Sequence, residues 1–321
     1  MGRSLAVLLA ALVASLAAVG DASASQLIDR DAKDAHLAVN SRGEAMLTYR
    51  KGGKLVHVLA WGAVDARQPG SSLPQVKFQK DYAGGWGKYR RLYWREFGNT
   101  CRPYDGPKLA WFVAGCKAGD GSYWALQSWQ TPLPDLGFTP WTPRLAAREL
   151  HLSHWTGPTA QLEVWTNWVY SGRFQGLFGR VTYDGQPVYG LGTTNLGAPT
   201  DGYGRLLYLD THDSVYGEGW RRENSFVPHN PTGVFCYGFY PFDPTKGGYQ
   251  HPAGQTAVRG PGTGDEYRIT INGPGVTPDV MWQGAGLHAF DQSSPADVAY
   301  EQQQNAVLDS VVGVDKLCRR H

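Results

Sequence analysis

The chain has 321 residues and a formal net charge of +2, with 18% charged residues against 41 Gly, 17 Tyr and 12 Trp. A near-neutral balance gives no long-range steering toward nucleic acid or a membrane surface. The Gly- and aromatic-rich composition is that of a turn-rich extracellular β protein rather than a helical enzyme, and the length allows one large β domain or two smaller ones.

Residues 1–24 read as a secretory signal: Arg3, then an apolar and small stretch from Leu5 to Val19, then Ala22-Ser23-Ala24 as a small-residue cleavage site. The stretch is shorter than the roughly 20 residues needed to span a bilayer, and no later segment is apolar for long enough. A secreted, extracellular or periplasmic protein beginning at Ser25 is expected, with no membrane span.

Residues 25–130 are predicted as an N-terminal β region. HLAVN, AMLTYR and LVHVLAW form a meander joined by short Gly-containing turns. In the next stretch Lys77, Lys80, Lys88, Arg90, Arg91, Arg95 and Arg102 stand against Asp81 and Glu96, interleaved with Phe78, Tyr82, Trp86, Tyr89, Tyr93, Trp94 and Phe97. Basic plus aromatic is how single strands of nucleic acid are held. No nucleic-acid fold motif accompanies it, so the stretch is read as a strand pair with a solvated outer face and no nucleic-acid partner. LAWFVAG and SYWALQSWQ follow as strands.

A proline-rich connector occupies 131–147, with Pro132, Pro134, Pro140 and Pro143. A second β region, 148–321, follows it; one domain or two is left open by the sequence. It opens with Glu149 to Tyr170, two alternating runs around Thr156-Gly157-Pro158-Thr159, read as a β-hairpin. Pairing Trp155 with Gln161 sets Leu152 against Val164 and His151 against Trp165, so both apolar sets reach one core. Glu149, His151, Ser153, Glu163, Trp165 and Asn167 then share the outer face. LFGRVTY and PVYGLG around Asp184-Gly185 make another hairpin, with Arg180 opposite in direction to Val181. In RLLYLDTHD, Asp210 and His212 face out. Ser214 to Pro231 is read as a long loop, and GVFCYGFY, EYRITI and DVMWQ as strands. One short C-terminal helix is capped by Ser294, started by Pro295 and ended at Gly313. Strands with one late helix mean all-β, a two-sheet sandwich of jelly-roll type.

The cysteines favour disulfides in an exported chain, with Cys101 paired to Cys116 and Cys236 to Cys318; the other connectivities remain open. No Cys-x-x-Cys pair supports zinc. In the hairpin register Glu149 and Glu163 lie roughly 13 Å apart, too far for a glycosidase pair. A metal set of Glu149, His151 and His212 requires neighbouring strands, and no metal or cofactor is expected. No Gly-x-Ser-x-Gly is present for acyl transfer. Binding remains: Trp165 offers a ring face, with Glu149, His151, Glu163, Asn167, Arg180, Asp210 and His212 as polar partners, as sugar recognition requires. The expected partner is an extracellular glycan or cell-envelope polymer. An extracellular polysaccharide hydrolase or lyase, and a structural envelope protein, are the alternatives.

Overall fold

The structure is a computed structural model that describes residues 25–68, 74–130, 141–142, 148–166, 169–170, 173–174, 176–188, 192–193, 199–200, 208–214, 217–223, 225–226, 234–239, 242–243, 248–249, 266–285, 291 and 293–312. The signal segment, Asn167, Cys318, and with it the Cys236–Cys318 pairing, lie outside these residues, as does all of the connector except Trp141–Thr142. The fold is all-β, and every paired strand is antiparallel.

In chain order, β1 (Gln26–Arg30) precedes the expected meander, β2 (Lys33–Val39), β3 (Ala45–Lys51) and β4 (Lys54–Trp61). β5 (Gln79–Asp81) completes that sheet, in the order β2-β3-β4-β5. β6 (Arg102–Pro103), β7 (Phe112–Lys117) and β8 (Tyr123–Gln130) follow, then β9 (Trp141–Thr142) and β10 (Arg148–Trp155). These build a second sheet, ordered β1-β10-β8-β7-β6. The two sheets pack face to face: Val39, Leu47, Tyr49 and Val58 meet Trp124, Leu126, Leu150 and Leu152 in one buried core. Alternation along each strand supplies these residues, since every second side chain points the same way.

The remaining strands build further sheets. They are β11 (Gln161–Thr166), β12 (Val169–Tyr170), β13 (Arg173–Phe174), β14 (Gly176–Tyr183), β15 (Gln186–Pro187), β16 (Gly192–Thr193) and β17 (Pro199–Thr200). Then come β18 (Tyr208–Ser214), β19 (Gly217–Glu223), β20 (Ser225–Phe226), β21 (Val234–Phe239), β22 (Phe242–Asp243), β23 (Gly248–Tyr249), β24 (Glu266–Ile271) and β25 (Val280–Ala285). One sheet runs β11-β14-β21-β20 and another β25-β24-β18-β19-β9. Leu162, Val164, Val181 and Tyr183 of the former pack on Tyr267, Ile269 and Trp282 of the latter. The described strands therefore fall into more than one pair of packed sheets.

Three local expectations are corrected. First, β10 and β11 do not form a hairpin. β10 lies between β1 and β8, with Leu152 opposite Gln26 on one side and Leu126 on the other, so neither edge is free. β11 pairs with β14, setting Glu163 against Arg180. Second, GEGWRRE is not part of a loop but strand β19, paired along β18. Asp213, at φ +46, sits at the register shift in β18, and its carboxylate accepts from the Gly219 N–H at 2.5 Å. Third, the basic and aromatic stretch is not a strand pair. It makes α1 (Trp86–Tyr89) and a 3-10 turn at Tyr93–Arg95. A Cβ at Gly84 would meet Trp94 at 2.7 Å, and Gly84 itself has φ +62, so only glycine lets this turn close. The C-terminal helix, α2 (Pro295–Val312), forms as expected, with the Asp297 N–H donating to the Ser294 hydroxyl at 3.3 Å. Among the described residues no helix is long and apolar enough to cross a membrane.

Candidate functional site

β10 is buried on both faces, which overturns the outward reading of Glu149, His151 and Ser153. The face away from the sandwich core is covered by the segment 272–279 that links β24 to β25, itself buried. His151 is 5% exposed and stands at the centre of a polar network. Its Nε2 lies 3.1 Å from Glu149 Oε2, and its Nδ1 lies 2.9 Å from Ser25 Oγ and 3.3 Å from Asp279 Oδ2. Ser25 donates its hydroxyl to Asp279 Oδ1, and Trp129 Nε1 donates to Oδ2 at 2.9 Å. Gln127 holds the Asp279 backbone both ways: it accepts from the Asp279 N–H at 2.9 Å, and its Nε2 donates to the Asp279 carbonyl at 3.0 Å. Burial pushes the Asp279 carboxyl above its ordinary range, against the pull of His151, Ser25 and Trp129. Burial pushes Glu149 the same way, but the hydrogen bonds and charges of His151 and Arg30 outweigh it and hold its carboxyl low.

Ser25, His151 and Glu149 stand in the order of a nucleophile, base and orienting acid. The serine is 0% exposed, however, and leaves no room for a substrate carbonyl in this conformation. The network docks the 272–279 segment onto β8 and β10. The same segment is tied by backbone bonds from Val276 to Asp65 and from His154 to Val276, which bring the two β regions together.

The other predicted site residues are divided between two sheets. Glu163 and Arg180 form a half-exposed ion pair on β11 and β14, and Trp165 lies on the same face of β11, half-buried. Asp210 and His212 lie on β18. Asp210 is buried rather than outward, 3.8 Å from Arg268, while His212 contacts Asp213 at 3.3 Å and the edge of Trp220. The metal set of Glu149, His151 and His212 is not assembled, because its members sit on different sheets.

Asp210 and His212 lead instead to a residue the sequence reading placed in a strand. The Arg268 guanidinium carbon lies 3.6 Å from the Trp220 ring centroid and 4.7 Å from that of Trp111. Trp111 is held at φ +57, in the left-handed region that a bulky side chain rarely adopts. Its indole Nε1 is buried with no hydrogen-bond partner among the described residues. The cleft beside it, about 330 Å³, opens at the end of the N-terminal sandwich, between β2 and the β7-β8-β10 sheet. Trp111, Phe112, Val113, Ala32, Ala35 and Leu150 give it apolar walls; Asp34, Ser128 and Arg148 give it polar groups. Phe112 and Val113 are exposed.

No known protein family, curated protein or solved structure matches this chain.

The local chain explains why Trp111 stands where it does. The Cys101–Cys116 disulfide, correctly expected, closes the loop that carries it, with β6 paired to the end of β7. The Trp111 carbonyl accepts from the Ser128 N–H at 2.9 Å, anchoring the loop to β8. A register shift between Phe112 and Ala114 then re-aims the side chains at the cleft, as bulges do beside sites. The sequence reading missed Trp111, Arg148 and Arg268. The available signal was the aromatic pair Trp111-Phe112 inside a small disulfide loop; the left-handed turn itself has no sequence signature in LAWFVAG.

Proposed function

We propose that the protein binds carbohydrate in the cleft at the open end of its N-terminal sandwich, with Trp111 as the stacking platform. The observation that carries this is the state of Trp111 itself. A left-handed non-glycine residue costs about 1–3 kcal/mol, and an unpaired buried N–H about 1–3 kcal/mol. Set against a typical stability of about 5–15 kcal/mol, that is a large cost to concentrate in one side chain, and such costs gather at binding sites. The surroundings suit a sugar: apolar walls for the C–H face of a ring, and Asp34, Ser128 and Arg148 for hydroxyls. The cleft lies at the small end of the range for ligand sites, which fits one or two sugar rings.

The hydrolase and lyase alternative has less support. Glu149 and Asp279 flank one imidazole, but inside the fold rather than in a cleft. We infer that the protein is exported, on the pattern of residues 1–24 and on the Cys101–Cys116 disulfide, which an oxidising compartment favours. An extracellular glycan or envelope polymer is then the natural partner.

The test is a thermal melt of the exported protein in a panel of oligosaccharides, since a ligand bound only by the folded state raises the melting temperature. The wild type should gain stability with at least one sugar class, and Trp111→Ala should gain clearly less at the same sugar concentration. A panel that shifts neither protein removes this reading.

A further inference from the structure

Resting on the carbohydrate reading of the Trp111 cleft, we propose that the sugar it selects is anionic, with Arg148 as the residue that takes the negative group. Arg148 is the first residue of β10 and lines the cleft beside Trp111, its guanidinium carbon 5.9 Å from that ring. It donates one N–H to the Ser128 carbonyl, which fixes the plane of the group. Among the described residues no carboxylate pairs with it. The contrast with its neighbours is direct. Arg268, which also lies near the Trp111 ring, has Asp210, and Arg30, which reaches the next residue of β10, has Glu149. Asp34, the carboxylate in the cleft lining, is exposed and 3.9 Å from Arg50.

Arg148 is exposed and its charge is hydrated; what marks it as an anion site is its place in the cleft lining, oriented by the Ser128 carbonyl, with no carboxylate partner among the described residues. Partial desolvation by the cleft walls draws the Arg148 pKa below its ordinary value. With one N–H committed to Ser128, the remaining donors present a fork, and a fork matches a planar carboxylate better than a lone hydroxyl. A pyranose carrying a carboxylate has both features the cleft offers to bind: a C–H face for Trp111 and an anion for Arg148. A sulfated sugar shares the charge but lacks the planar geometry, so the carboxylated ring, a uronate, is the better fit.

The experiment is isothermal titration of the exported wild type, Arg148→Gln and Arg148→Lys with three probes: a uronate oligomer, its neutral counterpart of the same linkage, and a sulfated oligomer. The wild type should bind the uronate at least tenfold more tightly than the neutral oligomer, with the sulfated one between them. Arg148→Gln should erase that preference, and Arg148→Lys should keep part of it, since it keeps the charge and loses the fork. Should either variant fail to fold, the wild type still decides: uronate affinity must fall as salt is raised, and neutral affinity must not. Equal binding of neutral and uronate oligomers overturns the anionic preference while leaving the carbohydrate site standing. Binding of none of the probes overturns both.

Discussion

Ser25 donates its hydroxyl to Asp279 at 2.5 Å, joining residues 254 positions apart and fastening the start of the described chain to the link between β24 and β25. Asp279 is fully buried, with Trp129 and the Gly273 N–H as further donors. Removing one partner from such a group leaves the others unpaired. Asp279→Ala should therefore cost about 3–5 kcal/mol, and Ser25→Ala about 1–3 kcal/mol. Urea denaturation of both variants measures this. A change under about half a kcal/mol in Asp279→Ala, the range of ordinary surface substitutions, would mean the network does not hold the two β regions together.

Acid should weaken the N-terminal sandwich through Glu44. Burial raises its carboxyl, but hydrogen bonds from Lys88, Tyr89 and Asn40 outweigh that and bring its pKa from 4.5 down to about 2. A carboxylate with a depressed folded pKa contributes stability above its unfolded value and loses it as pH falls through the folded one. The loss should run from about pH 4.5 to about pH 2. Stability profiles of the wild type and Glu44→Gln should converge across that window. Parallel profiles would show that Glu44 carries no linked stability.

The disulfide should matter for binding as well as stability. Cys101 and Cys116 are 15 residues apart, and closing such a loop contributes about 3 kcal/mol in the chain-entropy model. Because Trp111 sits inside this loop, a Cys101→Ser/Cys116→Ser variant should lose sugar binding under conditions where it is still folded. Retained affinity in the folded double variant would separate the loop from the site. Peptide mapping without reduction should also recover the Cys236–Cys318 link, and an intact mass should place the N-terminus at Ser25.

Gly115 offers a gentler probe of the cleft. A Cβ there would meet the Phe112 ring at 2.8 Å and the Trp124 carbonyl at 3.0 Å. The ring is the mobile party, so Gly115→Ala should swing Phe112 while leaving the sheet paired. Sugar affinity should fall several-fold with little change in melting temperature. An unchanged affinity would place Phe112 outside the contact surface.

How far the sequence could be read follows from these particular residues. The meander β2-β3-β4 was legible because polar, Gly-containing turns separate its alternating runs, and α2 because Ser294 and Pro295 mark its start. Alternation in Glu149 to Trp155 correctly divided that strand into two faces. It could not reveal that both faces are covered or that both edges are taken, because strand partners are set by contacts distant in sequence. GEGWRRE was hidden by Gly217, Gly219 and its charges, which mimic loop composition. Of the expected binding residues, Asp210 and His212 lead to the Arg268 and Trp220 cluster beside the proposed cleft. Glu163, Trp165 and Arg180 lie on another sheet, and Glu149 and His151 are inside the fold.

The central claim is that Trp111, rather than Trp165, is the platform for a sugar. A glycan array probed with the wild type, Trp111→Ala and Trp165→Ala tests it most directly. Stacking contributes about 0.5–1.5 kcal/mol beyond area, so Trp111→Ala should weaken the array signal roughly threefold to tenfold or more. Trp165→Ala should leave the signal in place. A signal lost with Trp165→Ala and kept with Trp111→Ala would contradict the account and return the site to β11.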